Sequence, residues 1–462
     1  MNNTHLKIPP DVSGLPIVGR AFDFLRANGI PLDVLRRLHE EHGDVVRFNV
    51  MNRPFHLVVN PELTHEILVK RISEFPKPSA VTDQSMGITR FLGMGILTAG
   101  YDEWKPQRKL MQPFMHRTHI ESYADTMGAL GEKLLDTWQD DSERNIHSDM
   151  HKVTMWIIAK TVFDLDVDEL QDFEAIVKEI QQIILDDMIS FLPAKLSGRD
   201  AKAARLNDTL TAFVDEMIAK RKVDTVRAGD DLLSLLLATT DEAGQALSDT
   251  FIRDNILTMF FAGHETTANT LTWAFYYLSQ NPDVLATLQA EVDTVLADGR
   301  TPTLADLPDL PYTLMVIKET MRIQPTIPVI PRALPKTTML GDYHIETPSL
   351  ILMSPHLLHH DERYWSEPAL FDPTRFSAEN EPHITKYAYL PFGGGPRVCI
   401  GNHFALMEAQ ILLAQMVRHY ELRLVDGTSI KPQFQLTTFP KNGLPMRVSQ
   451  RQAVRQEAIE HA

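Results

Sequence analysis

The sequence predicts a mainly α-helical protein with a minor β part, and three observations carry this prediction. Between residues 103 and 297, apolar residues recur at intervals of three and four, as they do on one face of a helix. The run from Ser248 to Ser279 is unusually long for one helix, and another strong helical pattern follows Cys399. Stretches rich in proline and β-branched residues after Pro325 supply the short strands.

The N-terminal part carries few helix signals. Proline and glycine punctuate the first 20 residues, which predicts a segment that runs over the surface. The stretch HLVVNP, residues 56–61, predicts a short strand that the Asn-Pro pair ends. The polar stretch at 197–205 predicts either a loop or the start of a helix.

One long helix dominates the predicted fold. Ser248 can cap its start, and Asn281 with Pro282 would stop it. At about 1.5 Å per residue, its roughly 30 residues would extend about 45 Å. Residues 255–280 are the most apolar long segment of the chain, yet His264 and Glu265 lie in its middle, a pair that a membrane-spanning helix carries only at high cost.

The last third of the chain alternates between helix and short strands. A helix is predicted at 311–323, before Pro325, and strands are predicted within PTIPVIPRALPKTTML and at 343–353. The helix after the cysteine has one apolar face, because its large apolar residues are spaced by three and four. These residues are Phe404, Met407, Ile411, Ala414 and Val417.

Composition and charge exclude several classes of protein. With 45 basic and 61 acidic residues, the formal net charge of −16 argues against a general nucleic-acid binder. One cysteine permits neither an intramolecular disulfide nor a multi-cysteine zinc site, which favours a cytoplasmic location. The N-terminus has no apolar run long enough for a signal peptide or anchor. We therefore expect a single domain over 1–462 without an integral membrane segment.

The cysteine lies in the loop PFGGGPRVCIG, residues 391–401. Glycines let other groups approach a backbone closely, and the start of the following helix adds partial positive charge. Both effects are expected to lower the pKa of the Cys399 thiol and to favour a thiolate, which is a nucleophile or a metal ligand. The alternative is a buried structural cysteine in a glycine turn.

The spacing of Phe392, Gly395, Arg397, Cys399 and Gly401 resembles the haem-binding signature of the cytochrome P450 family, Phe-x-x-Gly-x-Arg-x-Cys-x-Gly. The resemblance implies haem b (iron protoporphyrin IX) bound in this loop, with the Cys399 thiolate as the axial iron ligand. It also implies the family's triangular fold, with a long distal helix and the cysteine loop before a proximal helix.

Two further motifs resemble structural and cofactor-binding parts of that family. Glu319 and Arg322, with Arg375 from the later Pro-x-Arg-Phe, resemble a buried network that supports the cysteine loop. Alone, such a pair is more often a solvated surface pair. EWKPQR resembles the family's Trp-x-x-x-Arg, which implies that haem propionates bind to four residues: Trp104, Arg108, Arg332 and Arg397.

The stretch AGHETT, residues 262–267, lies in the long helix. A zinc HExxH motif is excluded because position 268 is alanine. Thr266 can donate a hydrogen bond back to the Ala262 carbonyl, which bends helices. From the residues alone, a hydrogen-bonded core acid beside a packing threonine explains the stretch. The family resemblance implies that Glu265 and Thr266 are catalytic and deliver protons during dioxygen reduction.

The resemblance also implies the walls of a substrate pocket over the haem. Most of these residues are apolar, so we expect a small lipophilic substrate such as a fatty acid, a terpenoid or a steroid. The histidine-rich HLLHHD, residues 356–361, offers a conceivable metal site, but the resemblance implies a strand end and a surface loop. The implied pocket residues are Phe91, Leu92, Met94, Thr258, Phe261, Ala262, Thr326, Ile327, Val329 and Thr437.

The resemblance implies a monooxygenase that uses O2 and takes electrons from a separate ferredoxin or flavodoxin and its reductase. Lys105, Lys109 and Arg117 are candidates for docking that partner, or are simply solvated bases. Three other readings stay open. They are a haem-thiolate sensor or carrier, a peroxide-using peroxygenase, and an isomerase or dehydratase on the same fold.

Overall fold

The structure is a computed structural model that describes residues 7–84, 87–167, 171–189, 198–223 and 231–451. Its helices are α1 Ala21–Ala27, α2 Leu32–His42, α3 Pro61–His65, α4 Ser79–Thr82, α5 Thr89–Leu92, α6 Tyr101–Met111, α7 Arg117–Ile120, α8 Ala124–Leu135, α9 Ile146–Phe163, α10 Gln171–Ile189, α11 Arg199–Val223, α12 Leu232–Leu237, α13 Asp249–Gln280, α14 Pro282–Val295, α15 Pro311–Ile323, α16 Pro355–Leu358 and α17 Asn402–His419. Its strands are β1 Val45–Val50, β2 Arg53–Val58, β3 Ser142–Asn145, β4 Ile330–Leu334, β5 Thr338–Leu340, β6 Tyr343–Ile345, β7 Ser349–Met353, β8 Tyr420–Leu424, β9 Pro432–Phe434, β10 Thr438–Pro440 and β11 Pro445–Gln450.

The largest sheet has the strand order β1-β2-β7-β4. β1 and β2 form an antiparallel hairpin, β2 runs parallel to β7, and β4 closes the edge antiparallel to β7. Successive side chains of a strand point to opposite faces of the sheet. Apolar side chains point to both faces here, and each face packs into its own apolar cluster. Val46 and Phe48 pack on one face, and Val45 and Ile351 pack on the other.

The long helix α13 is confirmed close to its predicted bounds. The Ser248 hydroxyl accepts a hydrogen bond from the Phe251 N–H, and the helix ends at Asn281 before Pro282. Along its length α13 packs most extensively against α9, and both helices belong to the main apolar core. In the described part of the chain, no helix is long and apolar enough to cross a membrane.

The later helices follow the predicted pattern. α15 covers the predicted range 311–323, and α17 buries its apolar face, including Phe404 and Ile411, against the main core. At 197–205, a helix start is correct for the described residues, since α11 begins at Arg199.

The predicted strand at 56–61 differs from the structure. β2 begins at Arg53 and ends at Val58. The Asn60 side chain accepts a hydrogen bond from the Leu63 N–H and caps α3, in which Pro61 is the first residue. The Asn-Pro pair therefore starts a helix in addition to ending a strand, because asparagine before proline is also a helix N-cap signal.

Candidate active site

A cavity of about 870 Å³ lies between α13 and the cysteine loop. The loop contributes Phe392, Val398 and Cys399 to its lining, and α13 contributes Phe261 and Thr266. Most of the lining is apolar. The volume lies within the range of small-molecule and cofactor sites, roughly 300–1,000 Å³.

The cysteine loop is held by close contacts, one of which explains the glycine at position 395. Gly395 has φ +69°, and a Cβ there would lie 2.2 Å from the Leu68 carbonyl oxygen, so only glycine fits. Gly401 has neither a positive φ nor a close neighbour; its N–H donates to the Cys399 sulfur just before α17 begins. The Cys399 N–H donates to the Phe392 carbonyl at 3.0 Å.

The prediction that the pKa of Cys399 is lowered is wrong for the protein without a bound metal. Burial raises the pKa of this thiol, and the Gly401 amide and the Arg108 charge only oppose that rise. The exposed part of the side chain faces the cavity, not the outer surface. A metal cation on the cavity side would displace the thiol proton, because a thiolate is the form that binds metals.

Beside the sulfur, the cavity is lined by cations without acidic partners. Burial lowers the pKa of Arg332 and of Arg397 to about 10, and it lowers the pKa of Lys77 well below its usual value. Among the described residues, none of the three forms an ion pair. The Arg397 guanidinium stacks 4.6 Å from the centre of the Trp104 ring, and Arg108 donates to the Val398 carbonyl at 2.8 Å.

This donor set fits a haem. Buried like charges that repel one another are stabilised by anions, and the two propionates of haem b supply two carboxylates. The structure thus brings Trp104, Arg108, Arg332 and Arg397 to one cavity, as predicted, and adds Lys77. Sequence reasoning missed Lys77, and its only signal is its place between two prolines.

On the α13 side, the Thr266 hydroxyl donates to the Ala262 carbonyl at 2.8 Å, as predicted. Glu265 accepts two hydrogen bonds from neutral groups. The Gln181 amide donates to one carboxylate oxygen at 2.9 Å, and the Thr437 hydroxyl makes a short bond to the other. Glu265 forms no ion pair with another described residue.

A chain of polar side chains continues behind Glu265. The Asn269 amide donates to the Thr437 hydroxyl at 3.3 Å. The Asn269 oxygen lies 3.2 Å from His147 Nε2 and 3.3 Å from His151 Nε2. Because that oxygen is an acceptor, both ring nitrogens donate. Sequence reasoning did not link these residues to Glu265, because all of them except Asn269, which lies on the same helix, come from distant segments of the chain.

The predicted structural network is present. Glu319 and Arg322 are fully buried and form two hydrogen bonds of 2.7 Å. The Arg375 Nε lies 3.4 Å from Glu319, and the Asp372 N–H donates to the same carboxylate oxygen at 2.9 Å. The alternative of a solvated surface pair is therefore excluded.

Some of the residues predicted to form the pocket walls line the cavity, and others do not. The predicted residues of α13 and of the segment after Pro325 line the cavity, and Thr437 lines it as well. Phe91, Leu92 and Met94 do not line it. Phe91 and Leu92 are buried in the main core. Asp254 of α13 accepts the Met94 N–H at 2.8 Å. This contact holds the loop against α13. Other residues near the loop line the cavity instead, among them Ile88, Ile96 and Leu97.

The stretch HLLHHD is not a surface loop. Its first three residues lie in α16, His359 follows as the C-cap, and His356 and His359 are only 5% and 0% exposed. Among the described residues, no group of three or more histidine, cysteine, aspartate or glutamate side chains is arranged to hold a metal ion.

Comparisons with known proteins agree with this site. The cytochrome P450 family model matches residues 9–448. Cyclooctatin synthase of Streptomyces melanosporofaciens is 36% identical over 444 residues, which are 94% of each chain. Pentalenene oxygenase of Streptomyces avermitilis is 30% identical over 446 residues, 95% of this chain and 96% of the other. A crystal structure of the cytochrome P450DA heme domain matches with a TM-score of 0.84 at 26% identity, over 97% of this chain and 99% of that chain.

The cofactor, the reaction class and the fold follow from these matches. A haem b cofactor and a mainly helical P450 fold are confirmed, and the relatives include a protein named as a monooxygenase. Such enzymes use O2, an electron donor and a lipophilic substrate. The chain belongs to the cytochrome P450 family of haem monooxygenases.

Proposed function

We propose that this protein is a single-domain P450 over 1–462 that hydroxylates a terpenoid. The observation that carries the proposal is the large, mainly apolar cavity between Cys399 and α13. An apolar cavity of this kind suits a hydrocarbon skeleton with few polar groups. The names of two relatives, pentalenene oxygenase and cyclooctat-9-en-7-ol 5-monooxygenase, support a terpenoid over a fatty acid or a steroid.

In the proposed site, the Cys399 thiolate would hold the haem iron, and Lys77, Arg332 and Arg397 would pair with the propionates. When bound, a thiolate-ligated haem supplies the reductive activation of dioxygen and the insertion of one oxygen atom into a C–H bond. The other oxygen atom leaves as water. The formation of that water consumes two protons and two electrons, so the protein must conduct protons to the site and receive electrons from a donor.

Thr266 and Glu265 are the proposed proton carriers. Because the Thr266 hydroxyl donates to the Ala262 carbonyl, its lone pairs are free to accept hydrogen bonds. Glu265, which also lines the cavity, is the one acid next to it in sequence. The Thr437 and Gln181 donors hold the two carboxyl oxygens of Glu265 in place at the cavity.

The proposed electron donor is a separate acidic ferredoxin or flavodoxin with its reductase. A shallow concavity beside Trp104 and Arg108 is lined by Lys105, Lys109 and His116. Arg117 lies close by in α7 and is exposed. A net negative protein needs a local basic surface to bind an acidic partner, and this concavity is next to the cysteine loop.

The test begins with the carbon monoxide difference spectrum of the reduced protein, in which we expect the band of thiolate-ligated haem. Terpene hydrocarbons and terpene alcohols, with fatty acids and steroids for comparison, are then titrated and the spin state of the haem is followed. The compound that binds is incubated with a ferredoxin, its reductase and isotopically labelled O2. We expect one labelled oxygen atom in the product.

Three outcomes would overturn parts of the proposal. Product formed from hydrogen peroxide but not from reduced ferredoxin would make the protein a peroxygenase. Product formed without consumption of reductant would point to an isomerase or dehydratase. Ligand binding without turnover under any condition would favour a sensor or carrier.

A further inference from the structure

The buried histidine at the end of α16 takes no part in the proposed reaction. His359 is 0% exposed and lies between α15, which carries Glu319 and Arg322, and the segment that leads into the cysteine loop. Its ring also packs against the ring of Tyr389, with centroids 5.3 Å apart.

The hydrogen bonds of the ring determine its protonation. His359 Nε2 lies 2.8 Å from the Leu390 backbone nitrogen, whose N–H can only donate. Nε2 is therefore the unprotonated nitrogen, and Nδ1 carries the proton and donates to the Arg322 carbonyl at 3.1 Å. Burial lowers the pKa of His359 to about 3, so the ring is neutral at physiological pH.

The bond to Arg322 is reciprocal. The Arg322 guanidinium, which is itself held by Glu319, donates to the His359 carbonyl at 2.8 Å. Arg322 therefore satisfies both the Nδ1–H and the carbonyl of His359, and both residues are fully buried. Such a pair of bonds fixes the position of His359 relative to α15.

From Leu390 the contacts continue to the iron ligand. Leu390 is two residues before Phe392, and the Phe392 carbonyl accepts the Cys399 N–H at 3.0 Å. The neighbouring Tyr389 hydroxyl donates to the Lys318 carbonyl of α15 at 2.8 Å. Residues 389 and 390 are thus bound to α15 by two connections, one direct and one through the His359 ring.

We propose that His359 is a positioning residue for the haem ligand, because its ring connects the buried Glu319–Arg322 pair to the residues that lead into the cysteine loop. The inference rests on the proposed ligation by Cys399. His359 touches neither the cavity nor the sulfur. Its effect on the iron is therefore carried by the backbone from Leu390 to Cys399.

The neighbouring histidine offers a matched control. His356 is also buried in α16, but its ring nitrogens make no contact with the cysteine loop. Its Nε2 lies 3.3 Å from Arg36, and its Nδ1 has no hydrogen-bond partner among the described residues. His356→Leu therefore removes a buried imidazole from the same element without removing a bond to the loop.

The experiment compares His359→Leu, His359→Gln and His356→Leu with the unaltered holoprotein. Haem content, melting temperature, the carbon monoxide difference spectrum and the haem reduction potential are measured for each. We expect His359→Leu to lose most of the thiolate-type band and to change its potential. His359→Gln, whose amide can accept from Leu390 and donate to Arg322, should keep both, as should His356→Leu.

The proposal is overturned if His359→Leu keeps the band and the potential of His356→Leu at a similar loss of melting temperature. If His359→Leu does not fold, the comparison of His359→Gln with His359→Asn decides. The shorter amide cannot satisfy both partners, so equal thiolate bands would overturn the proposal. A missing thiolate band in the unaltered protein would instead refute the ligation by Cys399, which is a separate result.

Discussion

At the scale of single residues, the haem end of the cavity is organised by buried charge. Lys77, Arg332 and Arg397 have lowered pKa values because burial disfavours their charged forms. The same three cations are stabilised once carboxylates are next to them. Buried cations of this kind destabilise the haem-free protein, and they increase its affinity for the anionic cofactor.

Lys77→Met tests whether this buried lysine destabilises the haem-free protein and strengthens haem binding. We expect the haem-free protein to melt at a higher temperature, because a buried ammonium is replaced by an apolar chain of similar length. The haem-loaded protein should lose haem about 10–100 times faster, since a hydrogen bond to a charged group contributes roughly 1.5–3 kcal/mol. Haem transfer to an apoglobin measures the rate. Lys105→Met, at an exposed position, is the control, and equal rates in the two variants would contradict the role of Lys77.

A buried acid on α17 makes stability depend on pH. Glu408 is 1% exposed, and in the described part of the chain its oxygens have no hydrogen-bond partner within bonding distance. Burial raises the pKa of Glu408 well above its usual value, although the Thr267 hydroxyl faces it. A carboxyl whose pKa is higher in the folded protein destabilises that protein as pH rises above the unfolded pKa of about 4.3.

Glu408→Gln should therefore stabilise the protein in a pH-dependent way. The difference in free energy of unfolding is expected to be small near pH 4 and to grow by about 1.4 kcal/mol per pH unit above that, until the folded pKa is reached. Melting curves recorded from pH 4.5 to pH 8 measure it. A difference that does not change with pH would show that Glu408 is not buried as a neutral acid.

At the scale of elements, α13 does more than line one side of the cavity. It also fixes the opposite wall of the cavity, because Asp254 accepts the Met94 N–H and Asn255 accepts the Ile96 N–H at 3.0 Å. Two glycines in that loop press against the helix; a Cβ on Gly95 would lie 2.1 Å from the Thr258 hydroxyl. The loop is therefore pinned along one face of α13.

Asp254→Ala should release this wall. We expect weaker binding of the lipophilic substrate, by about 5–150-fold, because a buried amide loses its acceptor at a cost of about 1–3 kcal/mol. Spin-state titration measures the binding constant, and limited proteolysis should show faster cleavage near residue 94. Asp249→Ala, which removes an exposed acid paired with Lys222 in the same helix, is the control. Equal affinities would mean that the loop keeps its place without Asp254.

At the scale of the whole molecule, charge distinguishes the proposed docking surface for the electron donor from the rest of the protein. The formal net charge is −16, yet the concavity beside α6 is lined by basic residues and histidines. Some of these bases are already paired, as Lys109 is with Glu242 at 2.6 Å. Exposed pairs of this kind contribute little and are easily exchanged for a partner's acids.

Lys105→Glu should slow reduction by an acidic ferredoxin and should reduce the dependence of that rate on salt. The reason is that attraction between exposed charges is screened over about 10 Å at 0.1 M ionic strength. Stopped-flow reduction under carbon monoxide at several salt concentrations measures both effects. Lys431→Glu, at an exposed position beside β9, is the control. Equal rates for the two variants would place the docking surface elsewhere.

The sequence by itself determined the elements whose signals are local. The cap of α13 at Ser248, the helix at 311–323 and the cysteine loop are each defined by residues a few positions apart. The family resemblance also pointed to Arg332 and Arg397, which the structure places at the cavity and which we propose as partners of the propionates. Such features are readable since neighbouring residues interact in the same way wherever the chain goes.

Only the tertiary structure decided which distant groups meet. The bond between Thr437 and Glu265, the position of Lys77 and the connection from His359 to Leu390 join segments far apart in the chain. The raised pKa of Cys399 was likewise hidden, because burial is a property of the packed molecule and not of the loop. Desolvation and long-range hydrogen bonds depend on how elements pack, and no short stretch of sequence records that.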